Sequence, residues 1–187
     1  MKNFEIENNI LTLYKGNDKT VVIPDIVQII GESAFYSCSS IENVIIGNNV
    51  TEIKDSAFSD CPSLISARLS HSINLIGAYA FYDCSRLVSI VIPNTIKSIE
   101  RETFSGCSRL TDVVLPKGLK RIDLMAFAFC PSLTNIYYLG SSDEWKDIEI
   151  FDFNDSLMKA NKYFYSNEKP SVEGIYWHFV DNIPTVW

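Results

Sequence analysis

Histidine is nearly absent from this chain, with only His71 and His178 in 187 residues. Zinc sites and His-dependent acid–base catalysis draw on that side chain first, so both start with little material. No C-x-x-C pair, no H-E-x-x-H pair, no G-x-S-x-G elbow and no phosphate-cradling glycine loop occurs. No apolar run reaches the ~18 residues of a membrane-spanning helix, so no membrane insertion is expected. The N-terminal stretch "MKNFEIENNILTLY" mixes charges with single apolar residues and lacks the unbroken apolar core of a secretory signal. As written, the chain is expected to stay in the cytoplasm. Basic charge is also scarce: 16 Lys and Arg against 23 Asp and Glu leave a net charge of −7, which argues against nucleic acid as a partner.

Apolar residues are plentiful at 47%, with 21% charged, the balance of a folded domain. Five cysteines stand at 38, 61, 84, 107 and 130, each 23 residues after the last. The spacing belongs to the whole chain. Residues 18 to 132 fall without a gap into rows of 23. One column is always Phe (Phe35, Phe58, Phe81, Phe104, Phe127), another always Ile (Ile30, Ile53, Ile76, Ile99, Ile122).

Each row opens on a pattern such as Leu87-x-x-Ile90-x-Ile92. Its last two apolar residues are two apart and share one side of an extended strand. Pro93 and Pro116 follow directly and end the strand, having no N–H to donate. The remaining apolar positions, spaced by three to five, suit a short helical or irregular return. One strand and one compact return per coil predict an α/β repeat solenoid of about five to six leucine-rich-repeat coils. In such a stack the cysteines form a line with parallel Cβ vectors. That geometry cannot surround a zinc ion and fits disulfides badly, so a reduced core ladder is expected. No metal or cofactor is expected.

The row pattern L-x-x-I-x-I-P-x-x-(V/I/L)-x-x-I-x-x-x-A-F-x-x-C resembles the BspA-like leucine-rich repeats of bacteria. Ala34-Phe35, Ala57-Phe58, Ala80-Phe81 and Ala126-Phe127 carry the A-F pair, and Thr103-Phe104 departs at the small residue. Pro24, Pro93 and Pro116 match the proline column, while Gly47 and Ser70 depart from it. The resemblance implies a right-handed solenoid used in adhesion or protein binding, often at cell surfaces, and no catalytic activity.

Three segments are expected. Residues 1–17 form an N-terminal hairpin cap turning at Asn8-Asn9, and residues 18–138 form the repeats. Residues 139–187 form a C-terminal cap. In that cap Ser141 and Glu144 open a short helix as a capping box, and Asn154-Asp155 caps another around Leu157 to Ala160. A terminal hairpin turns at Asp181-Asn182.

Candidate functional residues lie on the outward strand column: Val22, Ile45, Arg68, Val91, Val114 and Tyr137. A solvated column should be polar, yet four of the six are β-branched aliphatics. Two readings stand: plain strand propensity on an exposed sheet, or an apolar strip on the concave face that docks another protein. A homodimer through the strip is a variant of the second. Trp177, Phe179 and Trp187 form an alternative patch, either for carbohydrate or as packing against the last coil. Asp60 and Asp83 read as solvated turn residues rather than a catalytic pair.

Overall fold

The computed structural model describes residues 3–171 and 175–187. Residues 1–2 of the expected N-terminal segment and 172–174 of the C-terminal one lie outside it. The chain opens with a hairpin of β1 (Phe4–Glu7) and β2 (Ile10–Tyr14). Asn8 and Asn9 turn it at φ 49° and 67°, the left-handed conformation that asparagine tolerates. Long and short strands then alternate: β3 (Thr20–Val22), β4 (Ile29–Ile30), β5 (Asn43–Ile45), β6 (Glu52–Ile53), β7 (Ser66–Arg68) and β8 (Leu75–Ile76). They continue as β9 (Ser89–Val91), β10 (Ser98–Ile99), β11 (Asp112–Leu115), β12 (Arg121–Ile122) and β13 (Asn135–Tyr138). Helix α1 (Ser142–Lys146), β14 (Glu149–Ile150), α2 (Asp155–Lys159) and β15 (Asn161–Tyr165) follow, and β16 (Tyr176–Val180) and β17 (Ile183–Val186) end the chain.

The longer strands make one nine-stranded sheet, in the order β17-β16-β15-β13-β11-β9-β7-β5-β3. Its repeat strands pair in parallel in the register of the period, as in Asp112 with Ser89 and Asn135. The short strands form two further ribbons, β1-β2-β4-β6-β8 and β10-β12-β14. Between the walls run the ladders. Phe35, Phe58, Phe81, Phe104 and Phe127 are fully buried, and neighbouring rings stack at 4.7–5.5 Å between centroids. Each contributes about 1.5–3 kcal/mol by burial. Tyr14 extends the stack at 5.1 Å from Phe35, and Phe4 lies 5.2 Å from Tyr14, so the first hairpin covers the open end.

Two expectations need correction. The architecture is mostly sheet rather than α/β, and no repeat before Tyr138 contains a helix. Its only α-helices among the described residues are the two five-residue turns after Tyr138. The return shows why. Ser56 and Asp60 both sit at φ 55°, flanking Ala57-Phe58. The N–H groups of Ser56, Phe58 and Asp60 donate to Ala78, Ala80 and Tyr82 of the next coil. A helix would need those donors for itself. The number of coils is also larger, about seven turns. After Tyr138 the strand offset lengthens, with Asn135 pairing Asn161, but the sheet continues.

The last coil closes the core with polar side chains. Ser141 and Glu144 form the capping box of α1. Asn154 caps no helix through its side chain. Instead it accepts from the Phe127 N–H at 2.9 Å and donates to the carbonyls of Asp123 and Phe151, each at 2.9 Å. Its side-chain oxygen takes the place of the backbone carbonyl that accepts this bond in the other coils, as Ala126 does for Phe104. Lys162 occupies the inward strand column held elsewhere by Val21, Val44 and Ile136. Its ammonium donates to the carbonyls of Met158 and Ala160 at the end of α2, and burial lowers its pKa.

Candidate docking face

The outer face of the long sheet carries two parallel columns. One is polar: Thr20, Asn43, Ser66, Ser89, Asp112, Asn135 and Asn161. Its members bond across coils, with Ser66 Oγ donating to Asn43 Oδ1 and Asn135 Nδ2 to Asp112 Oδ1, both at 2.9 Å. The other is the predicted strip. Val22 is 60% exposed and Val91 52%; Ile45 and Arg68 are exposed as well.

Val114 and Tyr137 are not on that surface. They are 2% and 8% exposed, because the terminal hairpin β16–β17 turns back over them. Strand alternation puts Trp177 and Phe179 on one side of β16. Trp177 lies edge-on to Tyr137 and Tyr165, each at 5.3 Å, while Tyr137 stacks on Tyr163 at 5.4 Å. The indole N–H of Trp177 donates to the Tyr138 carbonyl at 3.0 Å, so the ring is buried with its one polar atom satisfied. The hairpin turns at Asp181 and Asn182, at φ 50° and 64°, like the first hairpin.

The alternative aromatic patch is therefore split. Trp177 is fully buried and cannot offer a face to a sugar ring, which removes the centre of the carbohydrate reading. Phe179 remains 39% exposed. Trp187 is half-buried, its ring tilted against His178 at 3.6 Å, with its N–H donating to the Ser166 carbonyl at 3.3 Å. His178 is thus a packing residue, and His71 lies exposed in the turn after β7 on a different element.

Cys61, Cys84, Cys107 and Cys130 are buried and unpaired, and Cys38 is half-buried and unpaired. Asp60 and Asp83 are neighbours in the stack. Burial raises the Asp83 pKa, and the Asp60 charge adds to it. Gly106 holds the next place in that column at φ 77°, and its missing side chain leaves room for the Asp83 carboxylate.

Against known proteins, the pattern of the BspA type leucine rich repeat region matches residues 4–134 and 74–172, in six copies. The chain belongs to this family. Among solved structures, a leucine rich cell surface protein from Faecalibacterium prausnitzii is 32% identical with a TM-score of 0.73. That similarity covers 78% of this chain but 40% of the other, so the chain spans about two fifths of that relative. A leucine rich repeat protein of T. pallidum is 23% identical with a TM-score of 0.57, covering 87% and 95% of the two chains. The pneumococcal vaccine antigen PcpA is 18% identical with a TM-score of 0.60, covering 79% and 45%. The latter two share the fold. No match was found among curated proteins. BspA-type repeats are generally non-enzymatic scaffolds, in a family with interaction and adhesion roles.

Proposed function

We propose that this BspA-type chain is a protein-binding module of the adhesion type. It docks another protein on the outer face of the long sheet along Val22, Ile45, Arg68 and Val91. The observation that carries this reading is the fate of the same column further along. At Val114 and Tyr137 the ladder is already covered by an apolar β-hairpin, supplied by the chain itself. The four preceding positions offer the same geometry uncovered, beside a column of polar groups that a docking backbone can reach. Exposed branched aliphatics in one strip mark an interaction surface, and arginine is enriched at interfaces. The likeness to a cell surface protein supports a role at the bacterial surface. The partner is another protein, with a second copy of this chain as the homodimeric case.

The test is cross-linked capture from bacterial surface extracts, comparing the native chain with an Arg68→Glu, Val91→Asp double variant. Loss of the captured species in the variant, with thermal stability retained, is the expected result. Equal capture by both chains would place the interface elsewhere. Sedimentation equilibrium of the two proteins reads the homodimer directly.

A further inference from the structure

Where the terminal hairpin passes over β9 and β11 it leaves a cleft of about 250 Å3. Its walls are Val91, Val114, Tyr137, Ile183 and Pro184, with Asp112 on the polar side. Asp112 is the single charged residue of that lining. Its carboxylate accepts from Asn135 Nδ2 at 2.9 Å and from the Thr111 hydroxyl, both neutral donors. Among the described residues it takes part in no ion pair. The Tyr137 hydroxyl is a third neutral partner, and a carboxylate offers about four lone-pair sites, so about one remains open here. The cleft is smaller than the roughly 300–1,000 Å3 of small-molecule pockets and has the size for one long side chain.

We propose that this cleft receives an arginine or lysine side chain from the docked protein. The methylene stem lies along Val91, Val114 and Pro184, and the cationic head meets Asp112 beside the Tyr137 ring. An apolar insert would leave a half-buried carboxylate without a counter-charge, and an acidic one would be repelled. The net charge of −7 favours the approach of a basic segment in the same sense. This inference rests on the docking reading, because Val91 belongs to both the strip and the cleft.

Methyl NMR of the full chain tests it, with N-acetyl-arginine amide as probe and the uncharged isostere N-acetyl-citrulline amide as control. Saturable shifts at Val91 and Val114 are expected with arginine, and roughly tenfold weaker binding with citrulline, as a charged hydrogen bond is worth about that factor. Asp112→Asn should lower arginine affinity by a similar factor and leave citrulline unaffected. A lysine amide that shifts the same methyls also supports the inference and assigns the head group. No saturable arginine shift, or equal binding of citrulline, overturns it, and that comparison needs no variant. A silent cleft alongside partner capture that still depends on Arg68 would sink this inference alone.

Discussion

The Cys84 thiol donates to the carbonyl oxygen of Phe58, 26 residues earlier, at 3.1 Å. The same bond joins Cys61 to Phe35, Cys107 to Phe81 and Cys130 to Phe104, at 3.1, 3.2 and 3.1 Å. Each thiol is thus a small buried side chain with a weak donor that satisfies a carbonyl in the preceding coil.

Burial holds these thiols protonated. It pushes Cys61 and Cys130 up to about 12, raises Cys84 and Cys107 well above the ordinary 9.0, and raises Cys38 too. Their contribution to stability is full below the unfolded thiol value of 9.0 and is lost as pH rises toward about 12, because the unfolded chain gives up protons first. Denaturation midpoints measured across that range should therefore fall with pH. Iodoacetamide at pH 8 should label native protein at half-buried Cys38, and all five cysteines only in denaturant. Rapid native labelling of Cys84 would refute the ladder.

Phe81 and Cys84 belong to the same coil but differ in weight. Phe81→Ala should cost ~3–5 kcal/mol, since the ring stacks on both Phe58 and Phe104 and its removal opens a cavity mid-stack. Cys84→Ala should cost much less, with normal folding in reductant. Urea unfolding of the two variants gives the comparison.

Asn154 is 3% exposed and makes three hydrogen bonds, two of them donations that no aspartate can reproduce. Asn154→Asp should remove both donations, leave the Phe151 carbonyl without its donor and bury a charge. The expected loss is about 1–3 kcal/mol or more. Urea unfolding of the variant measures the loss.

Trp177→Ala should release the terminal hairpin while the coils stay folded. The variant loses a fully buried ring, at ~3–5 kcal/mol, and leaves the Tyr138 carbonyl without its donor. Amide exchange should rise through β16 and β17 but not at Phe58 or Phe81. In the native chain, acrylamide should quench Trp145 and Trp187 and spare Trp177.

The repeat was legible because a solenoid writes its contacts at a constant sequence offset. Phe58 meets Phe81 for the same reason that Phe81 meets Phe104, so a column of identical letters is a row of touching rings. The hairpin cover carried no such mark. Alternation in "IYWHFV" places Trp177 and Phe179 on one side of a strand, but no local rule states which neighbour that side faces. The seventh coil was hidden by its longer offset and by Lys162, a charged residue in an apolar column. Asn154 read as a helix cap because the residue type suits one, whereas its buried surroundings assign its amide to Phe127.

Sequence alone determined the stacked coil, the Phe and Ile ladders and the unpaired thiols, since each follows from periodic burial of like on like. It also determined the chemical character of the outward column. Tertiary structure alone decided how much of that column is free. The fold of residues 175–187 back onto Val114 and Tyr137 is a single non-repeating contact between segments far apart in the chain. Such a contact is fixed by which apolar surfaces remain uncovered after the coils have stacked, and no spacing in the sequence records that remainder.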